Sequence, residues 1–315
     1  MTSSGQPRRV ILAVPHGFCA GVERAVDMAE RVLREHPRPV YCLKQIVHNA
    51  HVIADLAARS MVFVSRVEDI PEGATALFSA HGVAPGVRQG ALDRRIHLID
   101  ATCPFVLKVH SEVRRFAQKG FTIILIGNRN HDEIIGVAGE APDRVAVVEN
   151  EDDARAVAVP DPSRVTLLSQ TTWSPEETRP ILRVLRERFP LLQAPLQGDI
   201  CYATRNRQTA VRELARRADV ILVLGARNSS NSNRLVSVAA AAGRAAFLIS
   251  NLPELDAVPL GQAAVVGLTA GASTPESLVR EAIGRLKQLG FHDFEEMVVV
   301  RENLHLTGEK TPGDA

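Results

Sequence analysis

Three of the four cysteines share a local setting that could support metal chemistry. Cys19, Cys103 and Cys201 each lie where an apolar run gives way to a helical pattern, and none belongs to a Cys-x-x-Cys pair. The lack of such pairs disfavours a zinc ribbon or a ferredoxin. Three thiolates without a fourth cysteine suit a [4Fe–4S] cluster with one open iron, and a helix N-terminus favours the thiolate form. The alternative is that they are small buried side chains, which is how we interpret Cys42 inside a predicted strand.

Two polar turns follow each of these cysteines, each turn coming after a predicted strand. Each segment of about 85–100 residues therefore repeats one cysteine and two turns. Ligands of open α/β sheets bind beyond the carboxyl ends of the strands, so these turns are expected to line one cavity. The alternative is that strand–turn–helix repeats of this spacing occur in any α/β protein. The turns centre, segment by segment, on His48 and His81, on His131 and Thr171, and on Asn231 and Ser273.

The elements that position these turns are short Val/Ile/Leu runs alternating with amphipathic helical stretches. This pattern is typical of buried parallel strands and predicts an α/β protein with three similar α/β domains. The predicted domains are 20–102, 103–199 and 200–295, with strand 9–19 joining the third, and 1–8 and 306–315 are expected to be disordered tails. Strands are predicted at 10–14, 40–47, 61–64, 75–79, 96–100, 121–126, 145–148, 165–169, 200–202, 220–224, 245–249 and 263–268.

The polar residues of the turns could bind a compact anion and handle a proton. Ser229, Ser230 and Asn231 lie in a Ser/Asn-rich stretch before a predicted helix, where hydroxyl and N–H groups bind phosphate. A plain N-cap in a solvated loop is the alternative. Glu133 follows His131 by two residues, and a carboxylic acid in a confined anionic site can deliver a proton. Its alternative is an ordinary surface glutamate.

Composition excludes several classes of function. The chain has 315 residues, 45% of them hydrophobic, and a formal net charge of +1. This balance argues against nucleic-acid binding by bulk charge and against a polybasic membrane surface. No apolar run reaches the ~18 residues that span a bilayer, and the polar N-terminus has no secretory pattern. We therefore expect a cytoplasmic protein that binds neither nucleic acid nor membrane.

Taken together, these motifs resemble the 4-hydroxy-3-methylbut-2-enyl diphosphate reductase family, the terminal enzymes of the methylerythritol phosphate route to isoprenoids. They follow the family order over residues 9–290 and are far more specific together than singly. The matching stretches are Gly17-Phe18-Cys19-Ala20-Gly21-Val22, Val47-His48-Asn49, Ser79-Ala80-His81-Gly82-Val83, Asp100-Ala101-Thr102-Cys103-Pro104, Gln170-Thr171-Thr172, Cys201-Tyr202-Ala203-Thr204 with Asn206-Arg207-Gln208, residues 228–235, and Thr269-Ala270-Gly271-Ala272-Ser273.

The resemblance implies a pseudo-threefold cloverleaf of the three α/β domains around one central [4Fe–4S] cluster, with three cysteine ligands and an open apical iron. It implies reductive dehydroxylation of an allylic diphosphate to isopentenyl and dimethylallyl diphosphate. It also implies reduced ferredoxin or flavodoxin as electron donor, with NADPH upstream. Thr171 and Glu133 would handle the substrate hydroxyl, and Glu133 with His131 would serve catalysis. The implied cluster ligands are Cys19, Cys103 and Cys201, and the implied diphosphate ligands are His48, His81, His131, Ser229, Ser230, Asn231 and Ser273.

Some positions depart from the family pattern. His16 stands where the family has Arg, Lys44-Gln45 replaces His-Glu, and Trp173 replaces a smaller aliphatic residue. The turn at 127–133 has Asn128, Asn130 and Asp132 where the family has His, Gly and Pro. Two rival functions stay open: a diverged, non-catalytic iron–sulfur or diphosphate-sensing protein, and an iron–sulfur dehydratase that needs no external electrons. The retention of Glu133 and Thr171 argues against the sensor.

Overall fold

The structure is a computed structural model that describes residues 8–194 and 198–306. The tails expected to be disordered are 1–8 and 306–315, and all of their residues except Arg8 and Leu306 lie outside the described residues. Arg8 has defined contacts: its Nη1 donates to the carbonyl of Leu289 at 2.9 Å, and its guanidinium lies 3.9 Å from the centre of the Phe291 ring.

The described residues form an α/β fold with parallel strands only. The strands are β1 (Arg9–Val14), β2 (Val40–Leu43), β3 (Met61–Val64), β4 (Thr75–Phe78), β5 (His97–Asp100), β6 (Thr122–Ile126), β7 (Val145–Val148), β8 (Val165–Ser169), β9 (Val220–Leu224), β10 (Ala245–Ile249), β11 (Val265–Ala270) and β12 (Asp293–Val298). The helices are α1 (Ala20–Glu35), α2 (Ala50–Ala58), α3 (Pro85–Asp93), α4 (Pro104–Gln118), α5 (Asp132–Ala138), α6 (Glu151–Ala156), α7 (Pro175–Arg188), α8 (Tyr202–Arg217), α9 (Ser230–Ala241), α10 (Leu252–Asp256) and α11 (Glu276–Gln288).

Backbone contacts divide the chain into two compact units. Among the described residues, the first unit comprises 8–19, His48–His51 and Tyr202–His305, and the second comprises Ala20–Val47, 52–194, 198–201 and Leu306. The first contains one five-stranded sheet in the order β10-β9-β11-β1-β12. The second contains a four-stranded sheet, β3-β2-β4-β5, and a three-stranded sheet, β7-β6-β8. The α/β class with parallel strands predicted from the sequence is thus confirmed, while the three domains and their boundaries stay predictions.

The three central strands of the first unit, β1, β9 and β11, are buried on both faces, which explains their continuous apolar runs. Val10 and Leu222 pack with α11 residues on one face, whereas the neighbouring Ile11 and Ile221 pack with α8 and α9 residues on the other. Burying such side chains contributes about 1.5–3 kcal/mol each relative to exposure. The same alternation holds for β6 in the second unit, where Ile124 and Ile123 belong to different clusters.

The structure corrects the sequence prediction at three places. Residues 200–202 are not a strand, because α8 begins at Tyr202. The strand predicted at 40–47 ends at Leu43, since Lys44 adopts a left-handed conformation with φ of 62°. The strand β12 was not predicted, because its Asp293-Phe-Glu-Glu sequence carries the charges of an edge strand.

Among the described residues, no helix combines the length and apolarity needed to cross a bilayer.

Candidate active site

Each of the three cysteines singled out by the sequence directly precedes a long helix. Cys19 stands before α1, Cys103 is the N-cap of α4, and Cys201 stands before α8. All three are partly exposed, so their thiols can be reached. Cys42 is different: it lies within β2, is fully buried, and burial raises the pKa of its thiol. A buried, protonated thiol agrees with its interpretation as a packing residue.

One hydrogen bond recurs at all three cysteines, and it ties each of them to the end of a different sheet. The backbone N–H of Cys19 donates to the carbonyl of Ala272 at 3.1 Å, that of Cys103 to Ala80 at 3.0 Å, and that of Cys201 to Thr171 at 3.0 Å. Each acceptor is the second residue after its strand, namely β11, β4 and β8. The repeat predicted from the sequence therefore has a structural counterpart, and each cysteine lies against the second polar turn of its own segment.

In the first unit, the polar turn after β11 meets the segment that contains His48. The hydroxyl of Ser273 donates to the carbonyl of His48 at 3.0 Å. The amide Nδ2 of Asn228 lies 3.3 Å from the imidazole Nδ1 of His48. His48 is thus brought together with the Ser/Asn-rich stretch, although the two are far apart in the sequence.

The Ser/Asn-rich stretch forms the N-terminus of α9 rather than a loop before it, since the helix begins at Ser230. The hydroxyl of Ser229 caps the helix by accepting the N–H of Ser232 at 3.3 Å, and Ser230 is the first helical residue. The Oδ1 of Asn231 accepts the N–H of Ala272 at 2.8 Å. Its Nδ2 is buried and has no hydrogen-bond partner among the described residues. A buried donor at a helix N-terminus fits an anionic ligand.

In the second unit, the structure brings His81 and His131 together. Their rings are edge to face, with centroids 5.4 Å apart. The Nδ1 of His81 lies 3.4 Å from the hydroxyl of Ser79, and the Nδ1 of His131 accepts the N–H of Glu133 at 3.1 Å. The bond from Glu133 makes His131 the N-cap of α5. Because its Nδ1 is an acceptor, neutral His131 carries its proton on Nε2.

Glu133 and Thr171 form a buried pair. Glu133 is 2% exposed, and its Oε1 accepts the backbone N–H of Thr171 at 2.7 Å while its Oε2 accepts the threonine hydroxyl at 2.9 Å. The carbonyl of the same Thr171 accepts the N–H of Cys201. One residue thus joins the proton-donor candidate to a cysteine turn.

Several residues that depart from the family pattern make defined local contacts. Lys44 and Asp132 face each other, with Nζ 4.0 Å from Oδ1. Trp173 is buried and donates its indole N–H to Oε1 of Gln170 at 3.1 Å, and that oxygen also accepts the N–H of Asn128 at 3.0 Å. His16 lies 3.3 Å from the carboxylate of Glu276.

Sequence reasoning missed a set of buried charges next to the cysteines. Asp199 is buried, and burial together with nearby Glu112 raises its pKa to about 6, although the N–H of Ser169 and the ammonium of Lys108 oppose this. Arg207 is fully buried in α8. It belongs to a motif that the sequence singled out, but its length and charge gave no sign that it would be inside the fold.

The fold and these residues define a class of protein: a three-sheet α/β protein that carries cysteine, histidine and carboxylate side chains beyond its strand ends. The model of the family described as LytB protein matches residues 10–287, which is most of the chain. The chain belongs to the LytB family.

Named relatives agree with this membership. The 4-hydroxy-3-methylbut-2-enyl diphosphate reductase of Acidothermus cellulolyticus is 51% identical over 298 residues, which cover 94% of this chain and 88% of the relative. The reductase of the same name from Rhodococcus opacus is 50% identical over 94% of this chain and 89% of its own length. The solved E-1-hydroxy-2-methyl-but-2-enyl-4-diphosphate reductase of Plasmodium falciparum is similar with a TM-score of 0.91, at 34% identity and 94% coverage of both chains.

Proposed function

We propose that this chain reduces 4-hydroxy-3-methylbut-2-enyl diphosphate to isopentenyl and dimethylallyl diphosphate by a two-electron reductive dehydroxylation. The observation that carries the proposal is the repeated hydrogen bond that ties each cysteine to a polar strand-end turn. The relatives that are half identical over nearly the whole chain are named as reductases of this diphosphate.

Cys19, Cys103 and Cys201 would hold one [4Fe–4S] cluster, with its fourth iron open. The donor set fits such a cluster, because three partly exposed thiols stand at helix starts, where the helix dipole favours the thiolate. When bound, the cluster supplies electrons and a Lewis-acidic iron.

The diphosphate would be bound by imidazole, hydroxyl and amide donors rather than by lysine or arginine. This choice accounts for anion binding by a chain whose net charge is only +1. The buried Nδ2 of Asn231 supports it most directly. The proposed diphosphate ligands are His48, His81, His131, Ser229, Ser230, Asn231 and Ser273.

Glu133 would deliver the proton, and Thr171 would orient the substrate hydroxyl. The carboxylate is held by two hydrogen bonds from one residue, so its position relative to that threonine is fixed. His131 would donate from Nε2, because its Nδ1 is engaged by the N–H of Glu133.

A reduced ferredoxin or flavodoxin, with NADPH upstream, would supply single electrons. The cytoplasm would be the compartment, because thiolate ligands persist where the redox poise is reducing.

The test is anaerobic turnover of the allylic diphosphate with dithionite-reduced viologen, with both products quantified. We expect turnover only when reductant is present, and we expect Mössbauer spectra to show one [4Fe–4S] cluster with one iron distinct from the other three. The Cys103→Ala variant should lose both signals, whereas Cys42→Ala, at the buried thiol, should keep them. Turnover without reductant would favour the dehydratase, and tight binding without turnover would favour the diphosphate sensor.

A further inference from the structure

Each of the three helices that follow a cysteine carries a basic side chain in its second turn. Each of these side chains reaches the turn before another cysteine of the set, in cyclic order along the chain. The residues are Arg24 in α1, Lys108 in α4 and Arg207 in α8, which lie five, five and six residues after Cys19, Cys103 and Cys201.

Arg207 makes the most extensive of these contacts. Its Nη2 donates to the carbonyls of Gly17 at 2.8 Å and Phe18 at 3.2 Å, and its Nε also donates to Gly17 at 3.2 Å. These are the two residues before Cys19. The carboxylate of Glu302, with both oxygens 3.2 Å from Nη1, neutralises the buried guanidinium.

The Gly17 turn that Arg207 holds has little room to adjust. Gly17 has a positive φ of 67°, and a Cβ there would lie 3.2 Å from the carbonyl of Thr274. Its N–H donates to the carbonyl of Ala270 at 3.2 Å, the last residue of β11. The turn before Cys19 is therefore fixed by the sheet on one side and by Arg207 on the other.

Arg24 and Lys108 repeat this arrangement in the second unit. The buried Arg24 donates from Nη1 to the carbonyl of Thr102 at 3.2 Å, which is the residue before Cys103. The ammonium of Lys108 lies 3.4 Å from Oδ1 of the buried Asp199, two residues before Cys201. The other oxygen of Asp199 accepts the N–H of Ser169 at 2.9 Å, at the end of β8.

We propose that Arg24, Lys108 and Arg207 are positioning residues that hold the three cysteine turns ready for the cluster, each helix fixing the turn of the next cysteine in cyclic order. This inference rests on the proposed function, since it assigns the three cysteines to one cluster. The physical reason is that a cluster bound by three ligands is lost more readily when any one ligand turn can move. A cation held on backbone carbonyls or a buried carboxylate restricts that motion without adding a ligand.

The test measures iron release from the anaerobically purified holoprotein to the ferrous chelator bathophenanthroline disulfonate. The variants Arg24→Met and Lys108→Met are compared with Arg34→Met and Arg115→Met, exposed arginines of the same helices. We expect iron release at least about tenfold faster in the first pair, since one hydrogen bond to a charged group corresponds to more than that factor. Because Lys108 is partly exposed, its variant should fold even if the Arg24 variant does not.

An exchange of arginine for lysine distinguishes a side chain that positions a turn through its hydrogen bonds from one that only fills space. Arg24 uses one N–H, so Arg24→Lys should restore slow release, whereas Arg207→Lys should not, because one ammonium cannot reproduce the fork on two carbonyls and Glu302. Equal release by Lys108→Met and Arg115→Met would overturn the inference, as would Arg24→Lys behaving like Arg24→Met. A wild-type protein that binds no cluster would instead overturn the proposed function itself.

Discussion

Replacing Glu133 by glutamine removes the proton that the side chain could deliver but keeps the hydrogen bonds that hold the side chain in place. The two carboxylate oxygens accept the N–H of Thr171 at 2.7 Å and its hydroxyl at 2.9 Å. Glutamine has the same shape, so its Oε1 can keep the N–H bond while its Nε2 donates to the hydroxyl oxygen. The variant therefore preserves the contacts with Thr171 but has no proton to deliver.

The two consequences differ enough in size to be told apart. Exchanging the carboxyl group for an amide as the hydrogen-bond partner of Thr171 changes stability by about 1 kcal/mol. A positioned general acid contributes roughly 10²- to 10⁴-fold to the rate, or about 3–5 kcal/mol in the barrier. We therefore expect kcat to fall by at least about 100-fold, with KM, cluster content and the urea unfolding midpoint nearly unchanged.

The assay is the anaerobic viologen-coupled reduction, run beside Mössbauer quantification of the cluster. Glu177→Gln is the matched control, because Glu177 also accepts the N–H and the hydroxyl of one residue, Ser174, but does so in the N-terminal cap of α7. The control should keep wild-type kcat. A Glu133→Gln variant with near-normal kcat, or one that lost its cluster, would refute the assignment of Glu133 to the proton path.

Three further predictions concern residues around the turns. The Glu140→Gln variant should be less stable than wild type by about 1–3 kcal/mol at pH 7. Burial alone would raise the pKa of Glu140, but hydrogen bonds from His110 and Arg114 outweigh the effect of burial and hold the pKa below its ordinary 4.5. Since a lowered pKa stabilises the fold only while the carboxylate is charged, the difference between the urea midpoints should shrink as the pH falls below 4.5, and a constant difference would contradict this. Gly82→Ala should destabilise the protein by about 1–3 kcal/mol in the same urea assay. The reason is that Gly82 has a φ of 77° and that a Cβ there would lie 2.8 Å from Nε2 of the buried His110. Gly86→Ala is the control, because a Cβ at Gly86 meets nothing within 4 Å. The Asn231→Asp variant keeps an acceptor for the N–H of Ala272 but replaces the buried Nδ2 donor by a negative charge. KM for the diphosphate should therefore rise by about tenfold or more. An unchanged KM would show that Asn231 does not belong to the anion site.

The sequence predicted the sheets well where burial on both faces leaves a continuous apolar run. The runs at β6, β8 and β9 were found because all five residues of each strand are buried. The strand β12 escaped because it lies at the edge of its sheet, where Glu295 can face solvent and pair with Arg9 at 3.3 Å and Arg217 at 2.6 Å. Hydrophobic periodicity cannot detect a strand whose partners are charges supplied by distant segments.

The candidate site was predictable where a residue type reports its own chemistry. Cysteine and histidine in strand-end turns suggest ligands from the sequence alone. Arg207 gives no such signal, because a charged side chain is expected at the surface and its burial depends on Glu302, 95 residues further along the chain. The burial of Asp199 could not be predicted for the same reason, since only the fold brings Ser169 and Lys108 into contact with its carboxylate.

The three repeated segments share the hydrogen bond at the cysteine, although the number of residues between the cysteine and the second turn differs among them. The second turn follows its cysteine at 62, 68 and 72 residues (81 − 19, 171 − 103 and 273 − 201), yet the cysteine N–H bonds differ by only 0.1 Å. Helices and loops between these points can therefore vary without disturbing the cysteines. Departures such as Lys44 and Asn128 lie in the loops after β2 and β6, whereas the cysteines bond to the loops after β4, β8 and β11. Variation in the former loops should accordingly alter substrate affinity and turnover before it alters cluster retention.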